Sequence, residues 1–167
     1  MIQSVNPAPT DETDGLPMPR RIWAVISVGF ALCMSVLDVN IINIVLPTLS
    51  HDFGTSPAVT TWIINGYQLA IVVSLLSFSA LGEIIGYRKV YLSGIGLFCI
   101  TSLICALSDS FWTLTIARIF QGFSASAITS VNTAQLRYIY PKSQLGRGMG
   151  INAMVVAISA AAGPSVA

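Results

Sequence analysis

Long apolar stretches separated by brief polar connections set the pattern of this chain. They run over about 22–47, 58–82, 90–108, 110–136 and 148–167, each near the roughly 20 residues a helix needs to cross hydrocarbon. The connections are short: Ser50 to Pro57, Glu83 to Lys89, a turn at Asp109, and Pro141 to Arg147. Unpaired backbone groups are too costly in lipid for open strands, and the runs are much longer than barrel strands. The pattern predicts an all-α membrane protein with about five transmembrane helices. Residues 1–21 lack apolar periodicity and their first nineteen are rich in Pro, Thr, Asp and Glu, which predicts a flexible cytoplasmic tail ahead of a bundle over 22–167.

Composition agrees with lipid as the solvent. The chain is 54% hydrophobic and 9% charged, with a mean hydropathy of +0.76, where an ordinary globular domain carries about 25% charged residues. The net charge of +1 gives no basic surface for nucleic acid. The first apolar run begins too late and is too long for a cleaved signal peptide. Arg20-Arg21 is better explained as an inside-positive flank than as a twin-arginine signal.

The placement of charge says more than its sum. Arg20, Arg21, Arg88, Lys89, Arg137, Lys142 and Arg147 all fall before the first run or in alternate connections, whereas the other connections, with His51, Asp52 and Asp109, hold no Lys or Arg. By the positive-inside rule the N-terminus is expected in the cytoplasm, with the first run leading outward and the fourth inward. Arg118, inside the fourth run, is the one basic residue outside this scheme.

Asp38 is the acidic counterpart of that exception. It lies nine residues before Pro47, and Arg118 lies nine residues after Asp109, so at 1.5 Å per residue both are expected roughly 13 Å below the outer surface. Unlike charges at one depth on oppositely directed helices lower each other's burial cost. A static ion pair that locks two helices is the structural alternative to a functional site.

Little else carries chemistry. Cys33, Cys99 and Cys105 lack metal-like spacing and read as packing residues. His51 reads as a solvated loop residue. No Ser-His-Asp arrangement, zinc signature or phosphate-binding loop occurs, so neither catalysis nor a cofactor is implied.

Four motifs, in order, carry a resemblance. Leu37-Asp38-x-Asn40-Ile41-Ile42-Asn43-Ile44-x-Leu46-Pro47 resembles the helix-one signature of the fourteen-span drug:proton antiporters of the major facilitator superfamily. Ser79-Ala80-Leu81-Gly82-Glu83-Ile84-Ile85-Gly86-Tyr87-Arg88-Lys89 is similar to the superfamily's loop between helices two and three, with Ser79 for a Gly and Ile84 for an Arg. Arg118-Ile119-Phe120-Gln121-Gly122 resembles the helix-four pattern R-x-x-Q-G, and Ser159-Ala160-Ala161-Ala162-Gly163-Pro164 resembles the helix-five antiporter motif.

The resemblance implies the N-terminal part of a superfamily helix bundle from a parent with twelve or fourteen spans. Its C-terminal helices would be the missing partners of this segment. It implies that Asp38, assisted by Arg118, couples proton movement to export of a small hydrophobic or cationic drug. Gly82, Glu83, Gly86, Arg88 and Lys89 would gate the inner face through charge pairs, and Gly163-Pro164 would help seal the carrier between states. Competing readings are a positive-inside anchor for Arg88 and Lys89, and helix packing for Gly122 and the small residues of the fifth run. Asn40 and Asn43, more than about 130° from Asp38 on an ideal helix, are expected to stand apart from it. The expected setting is the lipid of a bacterial inner membrane. The alternatives to drug export are a non-transporting membrane fragment and an exporter of an endogenous metabolite or siderophore.

Overall fold

The computed structural model describes residues 15–166, with side chains placed through Ala162. Five helices follow one another: α1 Met18–Asp52, α2 Pro57–Ile85, α3 Tyr87–Ala106, α4 Phe111–Ile139 and α5 Leu145–Val166, the last preceded by a 3-10 turn, Lys142–Gln144. No strand occurs among the described residues. The tail expected over 1–21 falls mostly outside them, and residues 18–21 are already helical.

Local chemistry accounts for the helix starts. Ser56 and Ser110 sit at the N-caps of α2 and α4, where their hydroxyls accept from the amides of Val59 and Thr113 at 3.4 and 3.3 Å. These bonds satisfy donors that a helix start leaves open. Pro57 occupies the first turn of α2, where a missing N–H costs nothing. The helices overrun the apolar runs because polar residues continue the last turns. α1 passes through Pro47 to Asp52, and the ring there sacrifices only the N–H that would have met the Asn43 carbonyl.

The expected connection from Glu83 to Lys89 is nearly all helix. Only Gly86 breaks it, with φ +100° and ψ 130°, a conformation open to glycine and strained for any residue with a Cβ. A Cβ there would meet no atom within 4 Å, so backbone strain is the sole penalty. Gly86→Ala is expected to cost about 1–3 kcal/mol, measured as a lower melting temperature in detergent.

α4 is the centre of the bundle. It has fifteen buried residues against five or six on each of α1, α2 and α3, and it packs chiefly on α2 and α3, while α1 packs chiefly on α5. With about half of its residues buried against the other helices, α4 can carry polar side chains on those faces. Several return to carbonyls of their own helix, such as Ser124 to Gln121 at 2.6 Å and Thr129 to Ala125 at 2.9 Å, and Ser126 donates across to Ile71 of α2 at 3.2 Å. For the same reason α4 is absent from the segments long and apolar enough to cross a membrane, which are Met18–Asp52, Pro57–Ile85, Tyr87–Ala106 and Lys142–Ala162. The other helices turn large apolar side chains outward, among them Phe30, Val72, Leu76 and Ile100. Such an apolar exterior around a polar central helix is the arrangement of an integral membrane protein.

Candidate functional site

Asp38 and Arg118 are in contact. Asp38 lies in the middle of α1, and its Oδ2 accepts from Arg118 Nη1 of α4 at 2.7 Å. The Asp38 side chain is 17% exposed and that of Arg118 9%, so the pair is largely out of solvent. A bond this short between ionised groups is a charge-assisted hydrogen bond, stronger than a neutral one.

Gln121, one turn further along α4, extends the pair to α3. Its Nε2 donates to Asp38 Oδ1 at 3.2 Å and to Ser102 Oγ at 2.7 Å, and its Oε1 accepts from Cys105 Sγ at 3.5 Å. One carboxylate therefore takes hydrogen bonds from two side chains of α4, and one amide ties it to α3. The Arg118 Nε is buried without a hydrogen-bond partner.

Beside this cluster a cavity of about 400 Å³ runs between α1, α3 and α4. Asp38, Arg118 and Gln121 line it at one end. Phe53 and Ser108, which follow α1 and α3, line it at the other.

Asn40 and Asn43 stand apart, donating to the carbonyls of Val36 and Val39 on their own helix at 2.9 and 2.8 Å. Gly122 packs against α2: a Cβ there would overlap the Tyr67 carbonyl oxygen and fall 2.8 Å from the Ala70 Cβ. The two ends of the R-x-x-Q-G motif thus have different surroundings, a polar cluster for Arg118 and Gln121 and a helix contact for Gly122.

At the opposite end of the bundle, Gly82 is buried on the last turn of α2, while Glu83, Gly86, Arg88 and Lys89 are exposed. A second cavity of about 940 Å³ lies between this turn, the start of α1 and the end of α4. Arg20, Glu83 and Arg88 line it along with Gln135, whose Nε2 has no partner. Among the described residues Asp38–Arg118 is the Lys or Arg ion pair seen, and His51 Nδ1 lies 3.6 Å from Asp52 Oδ1 on the surface. The charge pairs implied for the α2–α3 turn are therefore not made within these helices. Gly163 and Pro164 lie in the final turn of α5, and the backbone stays helical through both.

The model of the Major Facilitator Superfamily matches residues 28–167. The chain belongs to this superfamily. It is 52% identical over 159 residues to an uncharacterized transporter, YebQ, of Escherichia coli, a match that covers 95% of the chain and 35% of the relative. It is 33% identical to the tetracenomycin C resistance and export protein of Streptomyces glaucescens, over 96% of the chain and 30% of that protein. It is 32% identical to the riboflavin transporter RibZ of Clostridioides difficile, over 88% of the chain and 32% of that protein. The chain spans about a third of the length of these relatives, all named as transport or export proteins rather than enzymes.

Within this superfamily segment the sequence reading missed α3 as a contributor. Cys105, read as a packing residue, instead joins Ser102 around Gln121. A signal was present: Ser102, Cys105 and Ser108 recur every three residues in an otherwise apolar run, the spacing of one helix face.

Proposed function

We propose that these helices are the N-terminal part of a longer carrier that exports a hydrophobic or cationic drug in exchange for protons across the inner membrane of a bacterium. The single observation that carries this reading is the Asp38 carboxylate, deep in the bundle, held at 2.7 Å by Arg118 and at 3.2 Å by Gln121. A buried carboxylate on a membrane helix is costly and marks an ion or proton pathway. A guanidinium is a donor and not an exchangeable proton site, so the proton belongs to Asp38 and Arg118 holds it in place.

Exchange follows from charge. A proton and a cationic substrate are both stabilised by the same negative group, so each disfavours the other there. Neutralising Asp38 also removes the attraction that holds α1 to α4 at this point and frees the two helices to shift. In the N-terminus-inside orientation, Asp38 gives up its proton as drug binds from the cytoplasm and regains one from outside to reset the carrier. The α2–α3 turn, with Glu83, Arg88 and Lys89 exposed, is then at the inner face. Its charges are available to pair with helices beyond this segment during gating, with Gly163-Pro164 helping to seal the carrier.

The export name of the Streptomyces glaucescens relative supports a drug as substrate. The name of the Clostridioides difficile relative favours a second reading, transport of an endogenous metabolite. Reconstituted full-length protein separates coupled exchange from other modes. Adding a cationic dye to vesicles that hold a pH gradient is expected to drive proton flux in the opposite direction to the dye. Dye movement at full rate with no proton flux would overturn the proposal.

A further inference from the structure

The cavity between α1, α3 and α4 is polar at one end and reaches the helix connections at the other. At the polar end stand Asp38 and Arg118, and at the other the residues that follow α1 and α3, Phe53 and Ser108. Its volume of about 400 Å³ has room for on the order of ten water molecules. α3 adds Ser102 and Cys105 to one wall, the former bonded to Gln121 at 2.7 Å. Asp38, whose side chain is 17% exposed, and Arg118, at 9%, both border this space.

We infer that this cleft is a hydrated proton entry, leading from the end of the bundle that carries the α1–α2 and α3–α4 connections to Asp38 along the serine and cysteine side of α3. Water is its ligand, held by the Asp38 carboxylate and the α3 hydroxyls, and a proton arriving along it reaches Asp38 between the polar side of α3 and the apolar Ile41, Val45 and Leu49 of α1. The inference rests on the proposed proton exchange at Asp38, and it assigns the α3 side of the bundle to the proton.

Cys105 is a built-in reporter, and Cys99, two turns earlier on α3, is a control. Cys99 is exposed on the outside of α3 and is not part of the cleft, whereas Cys105 lines it. In vesicles of the full-length protein, a charged, membrane-impermeant methanethiosulfonate added from the outer side is expected to modify Cys105 and spare Cys99, read by peptide mass. Ala106→Cys, at a second position in the cleft wall, supplies a further thiol and is expected to react as well. Proton uptake, followed with a pH dye, is expected to be lost in proportion to labelling. The inference is overturned if neither Cys105 nor the Ala106→Cys thiol reacts, if Cys105 reacts no faster than Cys99, or if complete labelling leaves proton uptake unchanged. Failure of the exchange reading itself would look different: the cleft would label while unlabelled protein showed no coupled proton flux at all.

Discussion

Asp38→Asn in the full-length carrier is expected to reduce proton-coupled export to the leak rate and to destabilise the bundle as well. The two effects have separate causes. Asparagine keeps an oxygen that can accept from Gln121, but it cannot take up and release a proton, so coupling is lost whatever the fold does. Stability falls because Arg118, 7% exposed, keeps its charge and loses the carboxylate that bonds it at 2.7 Å. Removing one partner of a buried pair leaves an uncompensated charge and costs about 3–5 kcal/mol. The neutral pair Asp38→Asn with Arg118→Gln therefore distinguishes the contributions. It is expected to recover most of the melting temperature lost in the single variant, since no charge is then buried, and to remain without coupled export. Thermal unfolding in detergent and export driven by a pH gradient in vesicles check the two halves. Coupled export at the unmodified rate in Asp38→Asn would remove the residue from the mechanism, leaving the Asp38–Arg118 contact as a lock between helices.

Much of this contact is legible in the chain's spacing. Counting nine residues from Pro47 and nine from Asp109 put Asp38 and Arg118 at one depth, because helical rise is constant and the connections are short. The helices themselves follow from apolar runs, for which the bilayer leaves few alternatives. Less legible was what surrounds each residue. A run records that α4 is helical but not that it lies at the centre, although its Ser, Thr, Asn and Gln content is the trace of that position. Nor could one helix's pattern reveal that Gln121 reaches Ser102 and Cys105, since a hydrogen bond between helices depends on their mutual rotation. The connection from Glu83 to Lys89 looked like a loop because it is charged; charge marks the end of the hydrocarbon, and α2 and α3 continue beyond it to the single break at Gly86.

Gly122→Leu is expected to prevent α2 and α4 from packing and to leave little folded protein in the membrane. Even the first added carbon would overlap the Tyr67 carbonyl oxygen and stand 2.8 Å from the Ala70 Cβ. The first of these atoms belongs to the backbone of α2 at a buried residue and cannot rotate away as a side-chain tip would. The two helices must therefore separate along their contact, which includes buried Tyr67, Ala70 and Ala125. Membrane helices associate through such close approaches, since lipid offers no hydrophobic drive to hold them together. Overpacking in a well-filled core costs about 1–3 kcal/mol, and a backbone obstacle places Gly122→Ala at or above the top of that range, with Leu worse. Gly96→Ala is the control, because a Cβ at Gly96 on α3 meets nothing within 4 Å and alanine is the better helix former. Its melting temperature in detergent is expected to match or exceed that of the unmodified chain, while Gly122→Ala falls well below it. If Gly122→Ala instead unfolds with the control, α2 and α4 are not held together by close backbone approach at this point.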